Sequence, residues 1–207
     1  MIRARASPCG RDPTLEFTLT SRDPGCAARR GCLALAHGAV ETPAFAPVAT
    51  RGTIRGLLPG QLHEAGTQML LANAYHLALS PGAERVAALG GLHRLMGWDR
   101  PILTDSGGYQ VFSLSSLRRI TDDGVEFRSP LDGSPMMLGP REATRIQDLL
   151  GADIAMAFDE CPPCPCGREV AEAAVERTLW WAAVCRDVHA NDSQALFGIV
   201  QGGVFED

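Results

Sequence analysis

Pro101-Ile-Leu-Thr-Asp-Ser-Gly-Gly-Tyr-Gln110 sets a carboxylate, a hydroxyl, two glycines and an aromatic ring directly behind a short apolar run. The apolar run reads as a buried strand, and the polar cluster as the loop it delivers. A strand that ends in Asp105 holds that carboxylate rigidly. Gly107 and Gly108 let backbone N–H groups approach a ligand more closely than a Cβ would allow, and the ring of Tyr109 offers a face on which a planar group can stack. Taken alone, the same residues also read as a type II or αL turn with a capping Asp, so the surrounding chain decides.

Outward from this stretch, short apolar runs alternate with segments of helical period. Ala44–Val48 precedes a helix opened by Pro59 and running to Glu64; Met69–Ala72 precedes Pro81 to Leu89; Ile102–Thr104 is the central run. Asp153–Phe158 follows the helix Pro140 to Leu150, and Leu196–Val200 follows the helix Val170 to Val184. Repeated βα units predict a parallel sheet. The Pro140–Leu150 segment carries Pro in the first turn, an early Glu142, apolar Ala143, Ile146 and Leu150 on one face, and Gly151 as a C-cap. Residues 15 to 36 contain two runs, Glu16–Thr20 and Cys32–Ala36, around Pro24-Gly25, which predicts an N-terminal hairpin. Val125–Ser129 and Pro135–Leu138 around Asp132-Gly133 predict a second hairpin inserted between the third strand and its helix.

The polar residues fall where the apolar runs stop: Asn73, Asp105, Asp159-Glu160 and Gln201-Gly202-Gly203. Four strands therefore deliver hydrogen-bonding side chains at their carboxyl ends, the face that carries the active site in a parallel (β/α)8 TIM-type barrel. Five βα units are present where such a barrel needs eight, so an incomplete barrel spanning residues 15–207 is expected, behind a poorly ordered N-terminus at residues 1–14.

Composition sets limits on function. The 207 residues are 45% hydrophobic and 21% charged with no long apolar segment, which suits one globular domain. The N-terminus has two arginines but no apolar core of a secretory signal. Seven cysteines without such a signal read as reduced thiols in a cytoplasmic protein, with a transit peptide as the alternative. A net charge of −5 gives no sequence-wide basic footprint, so any contact with nucleic acid must be local. The chain contains no Lys; Arg51, Arg55, Arg118 and Arg119 are the candidates for phosphate contacts.

Carboxylates on neighbouring strand ends suit a planar, donor-rich ring edge. Guanine presents N1–H and an exocyclic amine, which an ionised carboxylate accepts together, while O6 calls for donors such as backbone N–H groups or the Gln201 amide. Tyr109 completes a pocket for an extruded base. Paired carboxylates also suit glycosidic chemistry, in which one attacks the anomeric carbon and another handles the leaving group's proton.

Leu103-Thr-Asp-Ser-Gly-Gly-Tyr-Gln-Val-Phe-Ser-Leu114, Met156-Ala-Phe-Asp-Glu-Cys161 and Leu196-Phe-Gly-Ile-Val-Gln-Gly-Gly203 resemble the bacterial tRNA-guanine transglycosylases, or queuine tRNA-ribosyltransferases. Leu71–Leu77, Pro81–Arg85 and Gly91–His93 extend the likeness over roughly residues 15 to 207. The resemblance implies a (β/α)8 barrel that exchanges guanine at the wobble position of tRNA with a GUN anticodon for a 7-deazaguanine, on the route to queuosine. By the same resemblance Asp105 is the general acid/base and Asp105, Ser106, Gly107, Gly108 and Tyr109 form the base-binding loop, with Tyr109 stacking. Asp159 reads the amino edge of the base, Cys161 lines the pocket, Gln201 helps hold O6, Gly202 belongs to the substrate-binding set, and Asn73 supports the nucleophile. The family's nucleophile, a further Asp, and its structural zinc site of three Cys and one His are expected beyond residue 207, with the homodimer contacts.

Cys161-Pro-Pro-Cys-Pro-Cys166 invites a metal reading, but no His or further Cys follows until Cys185 and His189, and the family's zinc cluster has a different spacing. No metal ligand is therefore assigned in this chain. His76 and His93 are expected in ordinary hydrogen-bonding roles, and Trp180 and Trp181 in helix packing. Two other readings remain: a non-catalytic base-binding or accessory subunit, and an aldolase-type barrel, which the absence of any Lys for a Schiff base opposes.

Overall fold

The computed structural model describes residues 15–114 and 119–205. The expected N-terminal tail at 1–14 and Arg118 lie outside the described residues. Five short strands, each separated from the next by at least one helix, follow the N-terminal segment: β4 (Val48–Ala49), β5 (Leu70–Ala72), β6 (Ile102–Thr104), β10 (Ile154–Met156) and β11 (Ala195–Phe197). They form one five-stranded parallel sheet in the order β11-β10-β6-β5-β4, so each strand pairs with its predecessor in this series. The parallel α/β expectation holds at that level, with β4 and β11 as open edges among the described residues.

Helices α1 (Pro59–Glu64), α2 (Ala74–Leu79), α3 (Ala83–Ala88), α4 (Gly91–Met96) and α6 (Pro140–Leu150) contribute to a core on one face of this sheet, joining Leu62, Leu77, Val86, Leu92, Trp98 and Leu150 to Leu70, Ala72 and Ile102. α6 begins at Pro140, which has no N–H to leave unpaired, and its Glu142 accepts the Gly139 N–H at 3.1 Å. Gly151 closes it in the left-handed conformation. Gln147 of α6 is fully buried and fully used. Its Oε1 accepts from Thr104 Oγ1 and the Met156 N–H, and its Nε2 donates to the Ala143 and Met156 carbonyls, which ties the helix to β6 and β10.

The N-terminal hairpin is in fact a three-stranded antiparallel sheet, β1 (Glu16–Arg22), β2 (Arg29–Leu35) and β3 (Gly38–Thr42). Only Val40 of β3 is fully buried, so that strand carried little apolar signal. The sheet packs Leu33 and Val40 on Ile154, with Leu103, Met156 and Phe197 alongside. The inserted hairpin likewise gains a third strand: β7 (Arg119–Thr121), β8 (Gly124–Arg128) and β9 (Pro135–Leu138). The first parallel strand is Val48–Ala49 rather than Ala44–Val48, because Pro43 and Pro47 within or beside the predicted run offer no N–H for a ladder. The long helix α7 (Arg168–Val188) extends beyond the expected Val170–Val184 at both ends.

One cluster fastens the N-terminal sheet to the amino ends of the parallel strands. Asp153, with no exposed side-chain surface, accepts the His37 and Ile102 N–H groups at 2.9 Å each. His37 Nδ1 and His93 Nε2 lie 2.9 and 3.0 Å from its two oxygens, and since a carboxylate only accepts, both imidazole nitrogens donate. Burial alone would raise the Asp153 carboxyl; the hydrogen bonds from His93, Ile102 and His37 outweigh it and hold the group well below the usual carboxylate range. A carboxyl with a depressed folded pKa stabilises the fold above its unfolded value and loses that contribution as pH falls. Asp153→Asn is expected to cost about 2–4 kcal/mol at neutral pH. In denaturant titrations the gap between the two proteins should close below about pH 3; a constant gap at every pH would contradict the assignment.

Candidate active site

Each parallel strand stops where polar residues begin, so the carboxyl end of the sheet collects them. Asn73 directly follows β5 and Asp105 directly follows β6; Asp159 and Cys161 follow β10, and Gln201 and Gly202 follow β11. The register Leu103↔Ile154 and Thr104↔Ala155 aligns the two aspartates' strands side by side.

Asp105 is held from three sides. The Asn73 amide and Gln110 Nε2 (3.1 Å) donate to Oδ2, and the Ala74 N–H donates to Oδ1 at 3.0 Å. Burial pushes its carboxyl above the ordinary value against these bonds and one from the Gly107 N–H. Asp159 is 8% exposed. Its Oδ2 accepts from Gln201 Nε2 at 2.7 Å, while Ser106 Oγ is 3.5 Å from Oδ1, too long for a strong bond. Burial raises this carboxyl too, with Gln201 and Ser106 opposing. Cys161 lies in the same group: burial and then the nearby Asp159 charge raise its thiol, while a Gln201 hydrogen bond lowers it.

The glycines explain the close assembly. Gly107 has φ +81°, a conformation L side chains rarely adopt. A Cβ on Gly108 would meet the Asp159 carbonyl oxygen at 2.9 Å and Asp159 Oδ1 at 3.2 Å, so the β6 loop can reach the β10 loop only through glycine. The Gly108 N–H then donates to Ser106 Oγ at 3.3 Å. Tyr109, in α5 (Gly108–Leu114), is 65% exposed at the rim with its ring open to contact. Gly202 sits beside Gln201 with φ +127°.

Glu160 follows Asp159 at the same strand end, but its carboxylate pairs with Arg177 of α7. The alternation of an extended segment sends consecutive side chains to opposite sides. Asn73 serves Asp105 among the described residues. Gln110, which sequence reasoning passed over, also donates to Asp105; its place five residues along the same motif was the available signal. Beneath the site, Tyr75, Val111, Phe112, Phe127, Leu138 and Phe158 form a core joining the inserted sheet to the parallel sheet. His93 bonds Asp153 as an ordinary partner.

No zinc-type ligand set of three Cys and one His is gathered among the described residues. The group that does bring potential ligand atoms within 4.8 Å of one another is His37, His93 and Asp153. The imidazoles stack at 3.6 Å with planes 17° apart, so one ion near them cannot lie in the planes of both rings, and the nitrogens facing Asp153 carry protons. That geometry does not fit a metal centre. The described cysteines are free.

Two carboxylates on adjacent strand ends, an amide shared between one of them and a thiol, and an exposed aromatic at the rim thus gather at the carboxyl end of the sheet. The profile described as queuine tRNA-ribosyltransferase matches residues 23–207. Queuine tRNA-ribosyltransferases are similar over nearly the whole chain: that of Gloeobacter violaceus is 58% identical over 191 residues, 92% of this chain and 50% of its own length. Those of Nitrosomonas europaea (54% over 192 residues, 93% and 51%) and Pelotomaculum thermopropionicum (53% over 193 residues, 93% and 52%) agree. The chain belongs to the queuine tRNA-ribosyltransferase family, and it spans about half the length of the curated relatives it matches.

The raised Asp159 carboxyl carries a stability consequence. A carboxyl whose folded pKa is raised costs the fold its ionisation: stability is full below the unfolded value and declines as pH rises through the folded one. Asp159→Asn has no such loss, so it should melt at or above the temperature of the unaltered chain at pH 7 and show no advantage near pH 3. A variant less stable at pH 7 than at pH 3, relative to the unaltered chain, would contradict this.

Proposed function

We propose that this chain carries the base-binding half of an enzyme that replaces guanine at the wobble position of tRNA with a GUN anticodon by a 7-deazaguanine, in queuosine biosynthesis. The observation that carries it is the Asp105–Asp159 arrangement on adjacent strand ends, within a chain of this family. Among the described residues the side-chain contact to Asp159 Oδ1 is the long one from Ser106, which leaves it able to accept from the base's N1–H and exocyclic amine. Gln201 Nε2 carries two hydrogens; one donates to Asp159, and the other passes from the Cys161 thiol to O6 when a base is bound. Cys161 and the backbone at Gly202 border the same edge, and Tyr109 stacks on the ring.

Base exchange needs a proton delivered to the departing purine and one removed from the incoming base. Asp105, with its carboxyl raised by burial and steadied by Asn73, Gln110 and the Ala74 N–H, does both. Attack at the ribose carbon is assigned to a carboxylate in the half of the family's length that this chain does not span, together with the structural zinc and the homodimer contacts. The five parallel strands are then consecutive members of a (β/α)8 barrel, closed by strands that pair with β4 and β11. Arg51 and Arg55, exposed in the loop after β4, and exposed Arg119 on the inserted sheet are the phosphate contacts on the same end. No described helix is long and apolar enough to cross a membrane; a cytoplasmic setting suits tRNA as substrate.

The test is incorporation of labelled guanine into unmodified tRNA by the protein containing this chain. Asp105→Asn should lower exchange by about 10²–10⁴-fold while tRNA affinity stays within about threefold, well under one hydrogen bond's worth. Parallel losses in exchange and tRNA binding would make Asp105 structural. Base binding without any exchange would instead favour an accessory role.

A further inference from the structure

Glu160 buries a carboxylate that does not face the base, and a buried charge is costly unless it is paired. It is paired: Arg177 Nη1 of α7 meets Glu160 Oε2, with the two side chains 27% and 11% exposed. The Glu160 N–H donates to Thr178 Oγ1 at 3.1 Å. One residue before Asp159, the Phe158 N–H donates to Cys185 Sγ at 3.4 Å, and the Phe158 ring packs on Trp181 with centroids 5.0 Å apart. Residues 177, 178, 181 and 185 lie along one side of α7, and Thr178, Trp181 and Cys185 are all buried. Phe158 and Glu160 are thus both fastened to α7, and strand-like alternation leaves the Asp159 side chain between them directed the other way, toward Ser106 and Gln201.

We propose that α7 is the positioning element for the base-reading carboxylate, and that the Glu160–Arg177 pair, with Thr178, sets the orientation of Asp159 and so the selectivity of the site for a base bearing an exocyclic amine. The inference rests on the base-reading role of Asp159 proposed above. Glu160, Arg177 and Thr178 touch no base; they act through the backbone on either side of Asp159. The same helix also holds the inserted sheet. Trp181 Nε1 donates to the Asp122 carbonyl at 2.7 Å, and Arg177 Nε lies 4.0 Å from Asp122 Oδ1. The turn between β7 and β8 and the Asp159 segment therefore share one support.

Hypoxanthine is the informative probe, because it matches guanine except for the exocyclic amine that Asp159 would accept. Calorimetric affinities for guanine and hypoxanthine are measured on the full chain, on Arg177→Gln, on Glu160→Gln and on the double variant Glu160→Gln/Arg177→Gln. Circular dichroism fixes a temperature at which each is fully folded. The unaltered chain should prefer guanine. Arg177→Gln, which leaves the Glu160 carboxylate buried without its partner, should cut the guanine-to-hypoxanthine affinity ratio by roughly tenfold or more. The double variant should recover most of that ratio, because neither charge is then left alone; Glu160→Gln, nearly the same shape, gives a smaller loss.

An unchanged ratio in Arg177→Gln and Glu160→Gln, with only the melting temperature lowered, would overturn the positioning role and leave the base-reading role standing. A double variant no better than Arg177→Gln would also overturn it. Equal affinity of the unaltered chain for the two bases would overturn the base-reading role of Asp159, and the positioning proposal with it.

Discussion

The parallel pairing of β6 with β10, Leu103 opposite Ile154 and Thr104 opposite Ala155, fixes how far apart Asp105 and Asp159 stand, and the rest of the site is built on that spacing. Gln147 reinforces it from the helix side by bonding Thr104 and both backbone groups of Met156. Gly108 permits it from the loop side, since a side chain there would press on Asp159. A slip of one residue between these strands would turn one carboxylate into the helix layer and leave an apolar residue in its place.

The same sheet treats aspartates in opposite ways at its two ends. At the amino ends, Asp153 collects two backbone N–H groups and two imidazoles, and remains ionised far into acid. At the carboxyl ends, desolvation outweighs the hydrogen bonds to half-buried Asp105 and to buried Asp159, and their carboxyls rise. The first arrangement joins the N-terminal sheet to the parallel layer and serves stability. The second leaves two carboxyls raised by burial, which costs stability and suits the proton-transfer and base-reading roles proposed for them.

Much of this was legible in the sequence wherever a local rule and the tertiary structure agreed. Pro59 and Pro140 open their helices where a missing N–H costs nothing, Gly151 ends one, and Ile102–Thr104 is a strand because it is apolar and bounded by Pro101 and Asp105. The polar residues Asn73, Asp105, Asp159 and Gln201 could be grouped from sequence because strand ends of one parallel sheet fall on one face. What escaped was set by contacts rather than pattern. Strands β3 and β7 are largely exposed, α2 and α4 are six residues each, and neither kind of element carries a strong periodic signal. That Glu160 turns away from its neighbour Asp159 was hidden, because sequence adjacency does not say which way a side chain turns. Its partner Arg177 is 17 residues away on a helix whose orientation only the fold defines.

The central claim is that Asp159 reads the amino edge of a purine held between the β6 and β10 loops. A crystal structure of the chain soaked with guanine tests it most directly. The account predicts the ring against Tyr109, with N1 and the exocyclic nitrogen about 2.7–3.1 Å from the Asp159 carboxylate and O6 facing Gln201 and Gly202. Guanine bound with its pyrimidine edge turned away from Asp159, or bound at another place on the fold, would contradict it.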